Sequence, residues 1–124
     1  MVRKILVVDD EENMLALFKR VLGKEGYQIE CADSGQAALK LAGKNPFGLA
    51  IVDVSMPEMD GIEVLATLKV MDNEMPVIMI SAFPSWEKEQ TARRLGCTDY
   101  LSKPINLKRL KALVKEKIRT NKKR

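Results

Sequence analysis

Short apolar runs rich in β-branched residues recur along the chain and alternate with stretches of helical periodicity. The runs predict five strands, at residues 5–8, 27–31, 49–52, 77–80 and 99–101. The first, third and fourth runs are apolar throughout, which is typical of strands covered on both faces of a sheet. Alternating strands and helices with short links predict an α/β fold, an open doubly wound (βα)5 domain built on a five-stranded parallel sheet.

Four of the segments between or after the strands carry apolar residues at a spacing of three or four. These stripes, which predict amphipathic helices, are Met14, Leu15, Phe18, Val21 and Leu22; Ala37, Ala38, Leu41 and Ala42; Ile62, Leu65 and Leu68; and Leu107, Leu110, Val114 and Ile118. Ser34, Asp60 and Asn106 stand where the second, third and last helices should be capped. Gly26 and Gly96 stand where helices should end.

The segment 84–95 fits the pattern poorly. It offers only Trp86, Ala92 and Leu95 as apolar anchors among many charged residues. A helix with so narrow an apolar stripe gains little from packing, so we expect it to be the loosest element of the fold.

The amino-acid composition limits the kinds of catalytic or metal site that the chain can form. The 124 residues, 46% hydrophobic and 31% charged, suit one folded domain. The chain has no His, which excludes Ser/His and Cys/His catalysis and histidine-ligated zinc. Cys31 and Cys97 lack metal-ligand spacing and are predicted to be reduced thiols. With no secretory leader and no apolar stretch long enough to span a bilayer, the sequence favours a cytoplasmic protein without a membrane partner.

The basic residues are concentrated at one end. From Lys103 onward the chain carries ten Lys/Arg against one acid, whereas the preceding residues are acidic overall. A basic stripe is one mark of nucleic-acid binding, but a solvated outer face of the last helix is the simpler interpretation, since cations suit a helix C-terminus. Direct nucleic-acid binding is therefore not expected.

Polar side chains collect where the predicted strands end. Asp9 and Asp10 follow the first strand, Asp53 the third, Ser81 the fourth, and Lys103 comes shortly after the fifth. In an open parallel sheet the site lies beyond these carboxyl ends. Clustered carboxylates repel one another and call for a cation, and an all-oxygen ligand set predicts Mg²⁺. Asp53 is then a plausible nucleophile toward phosphorus.

Four segments in order, residues 7–11, 53–61, 81–82 and 100–104, resemble the receiver domain of bacterial two-component response regulators. They read Val-Val-Asp-Asp-Glu, Asp-Val-Ser-Met-Pro-Glu-Met-Asp-Gly, Ser-Ala and Tyr-Leu-Ser-Lys-Pro. The resemblance extends over residues 5–118. It implies a flavodoxin-like fold with strand order 2-1-3-4-5, with residues 1–120 as the domain and 121–124 as a basic tail or the start of a linker.

The resemblance also implies roles for the acidic residues. Asp53 would be the phosphorylation site. Asp10 would bind Mg²⁺, Asp9 would assist through water, and Asp53 and the backbone carbonyl of Ser55 would complete the metal site.

Further roles follow from the same resemblance. Lys103 and the Ser81 hydroxyl would contact phosphoryl oxygens, and Ala82 would leave room for the group. Tyr100 would turn inward when the Ser81 hydroxyl moves, and the bond before Pro104 would be cis.

The implied partners are a histidine kinase or phosphotransfer protein as donor, and an output protein or covalently linked effector domain as target. A homodimer on activation is a further expectation. The domain would promote only its own phosphorylation and dephosphorylation, so it is not expected to be an enzyme.

Two other classes with related features are weaker candidates. A flavodoxin needs a phosphate-binding loop after the first strand, where this chain has the acidic run 9–12. A Mg²⁺-dependent phosphatase of the haloacid-dehalogenase type also uses an Asp nucleophile, but it has an Asp-x-Asp pattern in place of adjacent aspartates. The phosphatase remains the alternative function.

Overall fold

The computed structural model describes residues 3–119, which form five strands and five helices in alternation. The strands are β1 (Lys4–Val8), β2 (Gln28–Ala32), β3 (Leu49–Asp53), β4 (Val77–Ser81) and β5 (Asp99–Ser102). The helices are α1 (Glu12–Gly23), α2 (Gly35–Lys44), α3 (Gly61–Met71), α4 (Trp86–Arg94) and α5 (Leu107–Lys117). Each predicted strand is confirmed with its ends displaced by no more than one residue.

All the strand pairs are parallel, and the order across the sheet is β2-β1-β3-β4-β5. The predicted doubly wound fold and its strand order are therefore confirmed. The chain reverses direction across the sheet between β1 and β3, so the carboxyl ends of these two strands flank the crevice where ligands bind in such folds.

Helices cover both faces of the sheet, which explains the uninterrupted apolar runs of the central strands. In β1, Ile5 packs with the cluster that includes Phe18 of α1 and Leu110 of α5. Its neighbour Leu6 packs in the other cluster, which includes Val64 of α3. Since successive strand residues face opposite sides, both sides of β1 must be apolar.

Local capping signals set the helix starts as the sequence predicts. The side chains of Ser34, Asp60 and Asn106 accept backbone N–H groups at the first turns of α2, α3 and α5. Asp60 forms a reciprocal capping box with Glu63, which satisfies two backbone donors at once. Gly96, after α4, has a φ of 101°, a conformation that glycine adopts without steric cost.

Helix α4 packs against the sheet through little apolar surface. Ala92 is its one buried residue, whereas Trp86 is 75% exposed and Leu95 is 37% exposed. The expectation that Trp86 anchors this segment is wrong. Trp86 is the first residue of α4, one position after the N-cap Ser85, and its ring lies in solvent.

Arg119 ties the end of the described chain to two loops. Its guanidinium donates to the Phe47 carbonyl from Nη2 at 2.8 Å and from Nε at 3.1 Å. The same group forms a two-pronged ion pair with Asp72, and the Arg119 N–H donates to the Gly48 carbonyl. We call these contacts of Arg119 with Phe47, Gly48 and Asp72 the Arg119 clasp.

The predicted end of the domain at residue 120 and the basic tail 121–124 lie outside the described residues, so that boundary stays a prediction. Among residues 3–119, no helix combines the length and the apolar character needed to cross a membrane.

We expect Arg119→Ala to lower the free energy of unfolding by about 1–3 kcal/mol, because the Phe47 carbonyl and Asp72 lose a charged donor. Urea denaturation measures the change. Arg93→Ala is the matched control, since Arg93 forms an exposed helical pair with Glu89 that should contribute about 0.3–0.5 kcal/mol. Equal losses in the two variants would contradict the stabilising role of the clasp.

Candidate functional site

The candidate site occupies the carboxyl-terminal edge of the sheet. Asp53 ends β3, Ser81 ends β4, and Asp9 and Lys103 lie just beyond β1 and β5. Backbone hydrogen bonds continue past the strands: the Asp9 N–H donates to Ala32 at 3.1 Å, and the Lys103 N–H donates to Ser81 at 2.8 Å. The sheet therefore fixes the backbone from which these functional side chains emerge.

Three carboxylates converge at this edge. Asp9, Asp10 and Asp53 each offer an oxygen, and these oxygens lie within 4.8 Å of one another. Asp9 and Asp53 are buried, whereas Asp10 is exposed. Backbone groups orient the two buried carboxylates: the Glu11 N–H donates to Asp9 Oδ1 at 2.9 Å and the Ser55 N–H donates to Asp53 Oδ1 at 3.4 Å.

The ammonium of Lys103 lies among acidic side chains. Its Nζ is 3.4 Å from Asp9 Oδ2, 3.5 Å from Glu11 Oε1 and 3.7 Å from Asp53 Oδ2. Glu11 is a contact that the sequence analysis missed. A carboxylate three positions after the first strand was the available signal, but its partner lies 92 residues away in the sequence.

The single ammonium of Lys103 does not offset the cost of burying the carboxylates of this cluster. Burial raises the pKa of Asp53 to about 6, the Asp9 carboxylate adds to the rise, and Lys103 with the Ser55 N–H opposes it. Burial also raises the pKa of Asp9, although the hydrogen bond from the Glu11 N–H and the charge of Lys103 act to lower it. Burial disfavours the ammonium of Lys103, but the Asp53, Asp9 and Glu11 carboxylates outweigh it, so its pKa is raised.

These residues fit a divalent metal ion. They supply oxygen ligands alone, close enough to share one cation, and the Asp9 and Asp10 carboxylates add to the rise that burial causes in the pKa of Asp53. Hard oxygen ligands with excess negative charge suit Mg²⁺.

Ser81 and Tyr100 lie on neighbouring strands beside the acidic cluster. The Ser81 side chain is fully buried and accepts the Phe83 N–H at 3.2 Å. Tyr100 is 9% exposed, so its ring already lies inward. Among residues 3–119 its hydroxyl has no hydrogen-bond partner, and burial raises its pKa, opposed by the nearby Ser81 hydroxyl.

The loop between β3 and α3 is packed tightly against the end of β3. A Cβ on Gly61 would lie 2.1 Å from the backbone oxygen of Asp53, so only glycine fits there. The Gly61 N–H donates to Val54 at 2.8 Å, and Glu58 adopts a φ of 68°, which costs a non-glycine residue energy. This packing sets the position of Asp53 and of Ser55, two residues later.

The predicted site residue Ala82 lies at the rim. It follows β4 and is exposed, and the next residue, Phe83, is 80% exposed. The peptide bond between Lys103 and Pro104 is cis, the isomer that the resemblance implies.

Comparison with known proteins decides the family. The family model described as "Response regulator receiver domain" matches residues 5–115. The chain belongs to the response regulator receiver domain family. A receiver domain is a phosphoacceptor signalling domain of two-component systems, so this assignment confirms the predicted function class and leaves nothing in favour of the phosphatase. Receiver domains generally bind Mg²⁺ at an acidic pocket, and this chain has an acidic cluster, formed by Asp9, Asp10 and Asp53.

Two curated relatives illustrate the range of proteins that contain this domain. The transcriptional regulatory protein PrrA of Mycobacterium tuberculosis is 37% identical over 116 residues, 94% of this chain but 50% of PrrA. The chain thus spans about half the length of that relative. Sporulation initiation phosphotransferase F of Bacillus subtilis is 35% identical over 113 residues, which is 91% of each chain.

A solved structure shows the same fold at similar identity. The crystal structure of the response regulator protein TrrA from Thermotoga maritima, in complex with Mg(2+)-BeF, has a TM-score of 0.86 and 32% sequence identity to this receiver domain. The match covers 94% of this chain and all of TrrA.

We expect the metal-free domain to lose stability as the pH rises from about 4 to about 6. Asp53 has a pKa of about 6 in the folded state against 3.8 as a reference value. Within that window the folded state binds more protons than the unfolded state, so the free energy of unfolding falls with rising pH, by up to about 3 kcal/mol.

Asp53→Asn removes this contribution and should flatten the pH profile. Urea denaturation at several pH values in the presence of a chelator measures both proteins. Parallel profiles for the wild type and the variant would show that the Asp53 carboxyl is not perturbed as described.

Proposed function

We propose that this receiver domain accepts a phosphoryl group on Asp53 from the phosphohistidine of a histidine kinase or phosphotransfer protein. The single observation that supports this most is the position of the Asp53 carboxylate. It is buried at the end of a central strand, within 4.8 Å of the Asp9 and Asp10 carboxylates and 3.7 Å from Lys103. A carboxylate in this setting can act as a nucleophile beside groups that neutralise phosphoryl charge.

In the proposed transfer, a carboxylate oxygen of Asp53 forms a bond to phosphorus. The bond between phosphorus and the donor imidazole nitrogen breaks, and its electron pair stays with that nitrogen. The product on Asp53 is an acyl phosphate. Lys103 contacts one phosphoryl oxygen and the Ser81 hydroxyl another, while the small side chain of Ala82 leaves room for the group.

Asp9, Asp10, Asp53 and the backbone carbonyl of Ser55 are the proposed holders of Mg²⁺, with Asp9 acting through water. When bound, the ion supplies positive charge that stabilises the phosphoryl oxygens. The same residues promote phosphorylation and dephosphorylation of Asp53, and we propose no other reaction.

We propose that phosphorylation is transmitted through Ser81 and Tyr100 to the surface formed by α4, β5 and α5. Once the Ser81 hydroxyl turns to the phosphoryl group, the contacts of the buried Tyr100 ring change. Helix α4 suits a switch because Ala92 is its one buried residue and few apolar contacts must be remade. This surface then controls an output protein or a linked effector domain, or forms a homodimer.

The domain boundary is part of the same proposal, with residues 1–120 as the receiver domain and 121–124 as a basic tail or the start of a linker. A cytoplasmic location is supported by the free thiols of Cys31 and Cys97, since reduced cysteines are usual in that compartment.

Incubation with Mg²⁺ and a small acyl phosphate should add one labile phosphoryl group, seen by mass spectrometry as a single phosphoryl increment. Asp53→Asn and chelation of Mg²⁺ should each abolish it. Asp33→Asn is the matched control, because Asp33 is an exposed aspartate just after β2 at the same edge of the sheet, and it should label like the wild type. Full labelling of the Asp53 variant would overturn the assignment.

Activation by Mg²⁺ with beryllium fluoride should alter Trp86 fluorescence and amide exchange in α4 and α5. In Ser81→Ala, Asp53 should still accept phosphate while most of this distal response is lost, because attack on phosphorus does not require the hydroxyl. Ser102→Ala removes an exposed hydroxyl from the end of the adjacent strand and should respond normally. An unchanged exchange pattern in the activated wild type would refute the proposed switch.

A further inference from the structure

Glu11 occupies a capping position without using its side chain as a cap. It is the N-cap residue of α1, but in the described chain its carboxylate makes no capping hydrogen bond. The other four helices are all capped by their N-cap side chains, those of Ser34, Asp60, Ser85 and Asn106. At the start of α1 the backbone carbonyl of Glu11 accepts the Met14 N–H at 3.1 Å instead, so the Glu11 side chain is not needed at that position.

The Glu11 side chain instead contacts Lys103, with Oε1 3.5 Å from Nζ. The three carboxylates around this ammonium differ in exposure. The side chains of Asp9 and Asp53 are 2% and 5% exposed, whereas that of Glu11 is 63% exposed. Lys103 is therefore held between two buried carboxylates and one carboxylate at the solvent side.

This difference determines which contact Lys103 can give up. Release of Asp9 or Asp53 would leave a buried charge without its partner, which is costly. Release of Glu11 returns a carboxylate to water at little cost, because exposed ion pairs contribute little. Glu11 is thus the partner that an incoming phosphoryl group can most readily displace from Lys103.

We propose that Glu11 is a positioning residue that draws the Lys103 ammonium toward solvent and so competes with the phosphoryl group for it. This inference rests on the proposed phosphorylation of Asp53. With acetyl phosphate as the donor, an Asp53 oxygen bonds to phosphorus, the bond from phosphorus to the acyl oxygen breaks, and the electron pair leaves with acetate. Glu11 slows the step because Lys103 must first leave it.

Three substitutions separate the effect of the contact between Glu11 and Lys103 from the effect of negative charge near the site. Glu11→Gln removes the charge and the ion pair. Glu11→Asp keeps the charge but shortens the side chain by one methylene group, so the carboxylate no longer reaches Lys103. Glu12→Gln removes one negative charge from the next residue, which is exposed and begins α1 and has no role in the site.

The rate of Asp53 phosphorylation by acetyl phosphate with saturating Mg²⁺, followed by mass spectrometry, tests the proposal. Glu11→Gln and Glu11→Asp should both react about two- to fivefold faster than the wild type, the size expected for one exposed ion pair. Glu12→Gln should react at nearly the wild-type rate. Glu11→Asp should also raise the melting temperature, because Asp can cap α1.

Each other outcome overturns the proposal. If Glu11→Asp reacts like the wild type while Glu11→Gln and Glu12→Gln are equally accelerated, net charge alone sets the rate. If no variant differs from the wild type, Lys103 is not limited by Glu11. A wild-type protein that takes up no phosphate would instead overturn the proposed function, and this inference with it.

Discussion

The rest of this domain depends on the burial of two carboxylates beside one ammonium. Asp9 and Asp53 lie almost out of solvent and share the Lys103 ammonium at 3.4 and 3.7 Å. Burial of like charges is costly unless they are paired and hydrogen-bonded. The backbone N–H groups of Glu11 and Ser55 supply part of that compensation. The negative charge that remains uncompensated is what a metal ion would neutralise.

The sheet supplies the rigidity that this arrangement needs. Strands β1, β3 and β4 are apolar on both sides and packed between two helical layers, so their carboxyl ends cannot shift independently. The close packing of Gly61 against the Asp53 backbone fixes Asp53 from the other direction. The loosely packed helix α4 follows β4, the strand that ends in Ser81. A rigid site beside a weakly held helix allows a local chemical change to alter a surface without disturbing the core.

Much of this architecture is visible in the sequence because it depends on local signals. Continuous apolar runs identify the buried strands, and Ser34, Asp60 and Asn106 mark helix starts through hydrogen bonds to residues three positions away. The polar residues at the strand ends predict the candidate site, because the carboxyl ends of parallel strands lie at one edge of the sheet. The strand order rested on family resemblance, because periodicity says nothing about which strands are neighbours.

The features that the sequence did not predict depend on contacts between distant positions or on which way a side chain faces. Glu11 meets Lys103 across 92 residues, and Arg119 meets Asp72 across 47. Trp86 was expected to be an anchor because it is apolar, yet its place at the first turn of α4 leaves it in solvent. Hydrophobicity indicates that a side chain prefers burial, but the path of the backbone decides whether a cavity is there to receive it.

The Arg119 clasp has a practical consequence for protein engineering. Helix α5 ends at Lys117, which makes that residue an inviting junction for fusing another domain to this one. A splice there would discard the guanidinium that joins the loops at Phe47 and Asp72. The resulting chimera would lose stability for reasons unrelated to signalling. Chimeras that retain Ile118 and Arg119 keep the Arg119 clasp. A change in their signalling can then be attributed to the fused domain and not to a loss of stability.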